Sequence, residues 1–407
     1  MPHPRNPLTL GGAAFLLTAT LVSRPALARN CQNLTIPVHI TAANTDLGDD
    51  FPTPQNDVEF TDFFLSNQPH GRLPPVMTTT SPPKTRNVTG DYELAATNCE
   101  PSSLGNSSSS SSSSNERIPK VLQVLTHGIG FDRSYRDFAF HDFEYSYVNH
   151  ALDHGYATLA WDRLGLGEST RLDPVREVQL PLEVEALREL TRLLRAGSVD
   201  LEPDDPQAAA AANNGTTTHH FDKIVHVGHS LGSSVVYALA AVDMTALDGI
   251  AGPKGGHLAG YDPGYVVVGD VTALHTDFFA PGAYDPDILE PAYAATQPTT
   301  VDEIATGSYM ANTKLDVTVP SLVITGRKKG LDLLRHRLLW HQRPKPGLAP
   351  QTGKRKLPAG GPQQYVYNNR ERIGPRFESV LTGTQDTNHE STYGNISDFL
   401  MSHGLSP

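Results

Sequence analysis

The pentapeptide Gly228-His229-Ser230-Leu231-Gly232 sets a serine between two glycines at G-x-S-x-G spacing. A serine hydroxyl is a weak nucleophile until a sharp turn exposes it and a neighbouring base takes its proton. Gly228 and Gly232 leave room for such a turn. The same five residues would also suit an ordinary tight turn around a buried serine, so the flanking elements decide. Residues 224–227 form a β-branched apolar run directly before the motif, and residues 233–242 read as a helix directly after it. Strand, turn and helix in that order are what an exposed nucleophile requires. A second segment, Thr126-His127-Gly128-Ile129-Gly130, follows the apolar run 121–125. A loop so placed lends one backbone N–H to a developing oxyanion, and the residue after the nucleophile lends another. Ile129 and Leu231 are the expected donors. His127 precedes the serine in the chain and is read as shaping its loop rather than as the proton acceptor.

The elements that must hold these residues have a consistent texture. Runs 121–126, 157–161 and 223–227 are almost continuously apolar, as parallel strands covered on both faces are. Between the last two, residues 182–194 repeat apolar side chains at helical spacing. This alternation predicts an α/β protein whose central sheet is mostly parallel with helices on both faces. Upstream, 34–41, 58–65 and 91–97 read as strands. Residues 101–119 form a serine-rich surface loop in which 107–114 are all serine. Segment 262–312 is rich in Pro, Asp, Tyr and Thr, lacks a strong strand run, and reads as an insertion over the sheet. Residues 320–325 and 376–382 read as late strands, and 396–403 as a closing helix. Between the two strands, 327–372 carries 12 Lys or Arg against only Asp332 and Glu371. A basic ligand patch would fit that excess, but a solvated loop is the plainer reading.

The segments THGIGFDRSYRD (126–137), YATLAWDRLGLGEST (156–170) and VHVGHSLGSS (225–234) resemble the α/β-hydrolase superfamily, in particular its secreted fungal esterase- and lipase-like members. The resemblance implies an α/β-hydrolase fold in one domain over 29–407, with 262–312 as a lid and the first two strands drawn from 33–100. It implies that the loop 162–169 turns beneath the active site and that its charges are structural. It also implies a base after the last strand, which points to His389. The acid is expected after the strand 320–325, often as G-x-x-D. That spacing from Gly326 falls on Lys329, so Asp332, the nearby carboxylate, is the choice, with Asp262 and Asp270 as alternatives.

Together these residues predict a serine hydrolase that acts on a small-molecule carboxylic ester through an acyl-enzyme. A second reading, favoured by the missing G-x-x-D acid, is a non-hydrolytic or biosynthetic-pathway protein on the same scaffold. An epoxide hydrolase would need a carboxylate at position 230, which is serine. Neither H-E-x-x-H nor clustered Cys/His spacing occurs, and no glycine-rich phosphate loop, so no metal and no cofactor is expected. The formal charge of −12 argues against nucleic acid as a partner. Nothing in the sequence marks an obligate protein partner.

The N-terminus reads as an export signal over 1–28. Arg5 precedes an apolar run over 8–22, and Ala26-Leu27-Ala28 fits a small-x-small cleavage site. The run is shorter than the ~20 residues of a spanning helix. A secreted chain with two cysteines predicts one disulfide, Cys31 to Cys99. Sequons at Asn33, Asn87, Asn106, Asn214 and Asn395 accord with glycosylation on the same route.

Overall fold

The computed structural model describes residues 29–67, 84–101, 119–201, 221–240, 250–251, 260–279, 284–304, 321–324, 364–367, 378–382 and 389–407. Its strands are β1 (Arg29–Thr45), β2 (Thr85–Pro101), β3 (Val121–Thr126), β4 (Ala157–Trp161), β5 (Lys223–His229), β6 (Ile250–Ala251), β7 (Tyr265–Val268), β8 (Thr299–Thr300), β9 (Ser321–Ile324), β10 (Gln364–Tyr367) and β11 (Glu378–Thr382). Its α-helices are α1 (Asp57–Asn67), α2 (Tyr147–Asp153), α3 (Leu180–Arg195), α4 (Leu231–Ala240), α5 (Val271–Phe278), α6 (Leu289–Ala294) and α7 (His389–Ser402). The central sheet has the order β1-β2-β4-β3-β5-β11-β9-β10. Strands β4, β3, β5, β11 and β9 run parallel, and β1, β2 and β10 are antiparallel additions.

The nearly continuous burial of β3 follows from covering on both faces. Leu122 and Val124 pack in a core with Leu187 and Leu190 of α3 and with Val235 and Val236 of α4. Val121 and Leu125 pack in a second core with Val148 of α2 and with Ile396, Phe399 and Leu400 of α7. Among the described residues, no helix is long and apolar enough to cross a membrane.

β1 and β2 pair antiparallel over their whole length, from Arg29 opposite Pro101 to Thr45 opposite Thr85. Cys31 and Cys99 stand directly opposite each other with Cα atoms 4.1 Å apart and are disulfide-bonded. The bridge closes a separation of 68 residues, which in the chain-entropy picture is about 4 kcal/mol of stability. The double variant Cys31→Ser/Cys99→Ser is therefore expected to melt at lower temperature with kcat unchanged, since neither cysteine approaches Ser230 in the chain or the sheet. A calorimetric scan beside an activity assay checks both halves.

Several elements differ from the sequence reading. Residues 58–65 are not a strand but most of α1. Asn56 accepts from the Glu59 N–H (3.0 Å), and the Glu59 carboxylate reaches back to Asn56 Nδ2 (2.8 Å) and the Gln55 N–H (2.9 Å). That is reciprocal N-terminal capping. The aromatic spacing Phe60 and Phe63 is helical, and Phe60 is buried against Val266 and Val301. Segment 262–312 does hold a strand, the buried run Tyr265–Val268. It lies in a separate three-stranded sheet, β6-β7-β8, rather than in the central one. The basic stretch 327–372 contains β10, which pairs antiparallel with β9. The closing helix begins at His389, seven positions before 396.

Candidate active site

Ser230 lies between the last residue of β5 and the first of α4, is exposed, and has φ 50°. The left-handed region costs a non-glycine residue about 1–3 kcal/mol and persists where the surroundings enforce it. The surroundings here leave no slack. A Cβ on Gly228 would come within 2.6 Å of Ser233 Cα, and one on Gly232 within 2.3 Å of both the Thr126 and His127 carbonyl oxygens. Contacts below 3.0 Å against backbone cannot be relieved by a rotamer change. Gly232→Ala is accordingly expected to be overpacked by about 1–3 kcal/mol or more and to pry the loop after β3 from α4. Thermal melting together with kcat reads both effects.

The loop after β3 is the second half of the site. A Cβ on Gly128 would stand 2.9 Å from Ser230 Cβ, which puts the loop against the serine. His127 is fully buried with both ring nitrogens engaged: Nε2 accepts from the Arg163 N–H (3.1 Å), so Nδ1 carries the hydrogen and donates to the Gly128 carbonyl (2.9 Å). Burial, then the nearby Arg163 charge, holds its pKa well below the usual histidine value. His127 is thus a neutral brace and no base. The Gly128 carbonyl also accepts from Arg163 Nη2 (3.4 Å). Gly128 C=O and Ile129 N–H belong to one trans peptide and point opposite ways. Fixing the carbonyl therefore aims the Ile129 N–H. Leu231 opens α4, and the first N–H groups of a helix have no partner within it.

Arg163 is itself buried between Glu183 of α3 and Glu303, its Nη1 lying against a carboxyl oxygen of each. Burial drives the Glu183 pKa far up. The loop after β4 is braced by Asp162, also fully buried, which accepts from the Arg133 N–H (2.7 Å) and the Glu168 N–H (3.0 Å) and pairs with the Arg133 guanidinium.

Inside the motif, His229 stacks on Tyr135 at a ring separation of 4.4 Å, and its Nε2 meets the Tyr135 hydroxyl at 3.1 Å. Burial and the Arg136 charge pull its pKa down to about 3. His226, in β5, is likewise drawn to about 3 by burial and Arg195. Three neutral buried histidines have a consequence for stability. Below the ordinary value of about 6.5, the unfolded chain binds protons that folded His127, His226 and His229 refuse, so their contribution grows as pH rises to there. Glu183 and Asp302 act in the opposite sense. Burial raises Asp302 to about 9, so the folded chain keeps protons that the unfolded one has lost, and their contribution fades as pH climbs. With the histidines' gain complete at about pH 6.5 and Asp302 still losing above it, the melting temperature is expected to peak near pH 6.5. Scans across pH 4–9 test this; a maximum near pH 9 would contradict it.

The remaining predicted residues stand as follows. Thr382 of β11 is opposite His229 of β5 in a parallel register, so the chain leaves β11 beside the serine, and α7 opens at His389. β9 runs parallel to β11 and leaves at the same end. Asp332 follows β9 and lies outside the described residues. Asp270 is exposed and caps α5 by accepting from the Ala273 N–H (2.8 Å), while Asp262 is exposed in the turn before β7. Asn33 and Asn87 are exposed on the β1–β2 pair, and Asn395 lies in α7; Asn106 and Asn214 fall outside the described residues, as do 1–28. No group of three or more potential metal ligands occurs among the described residues. Sequence reading missed Tyr135, Glu183 and Glu303, and gave Arg163 only as one of the structural charges of the loop 162–169. Glu183 left a trace, because it shares helical spacing with the apolar Leu187, Leu190 and Leu194.

Residues 123–374 match the profile of the Alpha/beta hydrolase family, more than half of the chain, and the chain belongs to that family. No curated protein matches it. Among solved structures it is similar to a bottromycin epimerase bound to bottromycin A2 (18% identity, 37% of this chain and 40% of that one, TM-score 0.21). It is also similar to an epoxide hydrolase variant of Vigna radiata (12%, 38% and 36%, 0.23) and to an esterase of Pyrococcus furiosus (16%, 37% and 40%, 0.23). The chain spans two fifths or less of the length of each of these.

Proposed function

We propose that the chain is a secreted serine hydrolase that cleaves a carboxylic ester through an acyl-enzyme on Ser230. The observation that carries this reading is the exposed serine at φ 50° between a parallel strand and a helix, pressed against the loop whose Ile129 N–H is aimed by a held carbonyl. Ser230 attacks the ester carbonyl while His389 takes its proton. The Ile129 and Leu231 amides stabilise the oxyanion, and the protonated His389 then hands its proton to the departing alcohol. Water, deprotonated by the same histidine, releases the acid. We assign the orienting carboxylate to Asp332, because the chain leaves β9 at the same end of the sheet as it leaves β11.

A fluorophosphonate probe and a panel of nitrophenyl esters of graded chain length test the reading. Labelling at Ser230 with turnover supports it. A folded chain that neither labels nor turns over favours the second reading, a non-hydrolytic scaffold, for which Lys329 in the G-x-x-D position speaks. Secretion rests on the residues of 1–28 together with the Cys31–Cys99 bond. It requires the exported protein to begin near Arg29, as N-terminal mass spectrometry would show, and retention of Met1 would refute it.

A further inference from the structure

The oxyanion loop is not held by its own neighbours alone. Three contacts reach it from segment 284–304 or through that segment's partners. The Gln297 N–H donates to the Gly130 carbonyl (2.9 Å), and Gln297 Nε2 donates to Asp132 Oδ2 (3.1 Å). Glu303 binds Arg163, whose Nη2 reaches the Gly128 carbonyl. The carbonyls on both sides of Ile129 are therefore fixed by this segment.

Glu303 is built for that task. One carboxylate oxygen takes Arg163; the other accepts from the Thr299 hydroxyl (2.8 Å) and the Thr300 N–H (2.8 Å), and the residue is 1% exposed. Every partner is a donor, so only a full carboxylate fits. Glu183 differs, because only its Oε1 meets Arg163, and its Oε2 has no hydrogen-bond partner among the described residues. One arginine cannot neutralise two buried carboxylates, and Glu183 is the one that burial keeps protonated.

We propose that Glu303 is a positioning residue for the oxyanion hole, setting the Ile129 N–H through Arg163 while Gln297 pins the Gly130–Phe131 peptide. This rests on the serine hydrolase reading for its catalytic consequence, but not for its structural one. The contrast between two isosteric variants tests it. Glu303→Gln puts an amide NH2 against either Arg163 or the Thr299/Thr300 donors, whereas Glu183→Gln replaces a protonated acid with a neutral amide. Three quantities are read: kcat per fluorophosphonate-titrated site, KM, and amide hydrogen exchange of peptides covering 127–132.

Glu303→Gln is expected to lower kcat per titrated site by about ten- to a hundredfold, a fraction of the loss from deleting a donor outright. KM should stay unchanged and exchange at 127–132 should quicken. Glu183→Gln should leave all three near wild type. Should Glu303→Gln fail to fold, Thr299→Val, which removes one donor to Glu303, is expected to show the same pattern more weakly. A fall in melting temperature with kcat per site and exchange unchanged overturns the proposal, as does an equal effect of the two glutamine variants. A wild-type chain that does not label refutes the hydrolase reading instead, and the exchange contrast still decides the positioning.

Discussion

Ser230→Ala is expected to abolish fluorophosphonate labelling and to lower ester turnover by about six orders of magnitude, with the fold intact. Alanine removes only the hydroxyl, and the strained backbone at this position is imposed by the packing of Gly228 and Gly232 rather than by the side chain. Melting temperature should therefore hold or rise slightly. His389→Ala is expected to fall nearly as far, because serine without its base does not attack. Retention of most turnover by Ser230→Ala would move the chemistry away from the β5–α4 junction altogether.

Asp332→Asn is the second large effect. An orienting carboxylate fixes the histidine's tautomer and stabilises its charged form, and losing it costs about four orders of magnitude in kcat. KM should change little, since the carboxylate touches no substrate. Asp270→Asn should be mild, because an asparagine caps a helix nearly as well as an aspartate, and Asp262→Asn should be mild because that side chain is exposed. Steady-state kinetics on the three variants rank them. If Asp270→Asn is the damaging one, the acid belongs to the end of β7 rather than the end of β9.

What could be read in the sequence was whatever one short segment decides for itself. The apolar runs of β3, β4 and β5 announce two-sided burial, and GHSLG announces its own turn, because one clash that demands glycine, Gly228 against Ser233, comes from the adjoining helix. Residues 58–65 misled because a short run of apolar and aromatic residues reads as a strand when the capping by Asn56 and Glu59 is overlooked. The full reach of β1 and β2 was invisible, since polar residues such as Asn44 and Arg86 belong to strands only when a partner stands opposite. Glu303 gave no sign at all. Its meaning depends on Arg163, which lies 140 positions earlier, and pairings at that separation leave no local pattern.

The register of β1 on β2 has one more result. Glu93, opposite Pro37, turns its N–H and C=O away from β1, toward Thr170 (2.8 Å to the hydroxyl, 2.9 Å from the Thr170 N–H). Pro37 therefore sits at a position where the backbone nitrogen faces the outer side of β1, and among the described residues β1 pairs with nothing there. A bare strand edge is a template on which a second copy can lay its own strand. Proline removes a donor from the middle of that template, so the outer edge of β1 offers a second copy only an interrupted ladder.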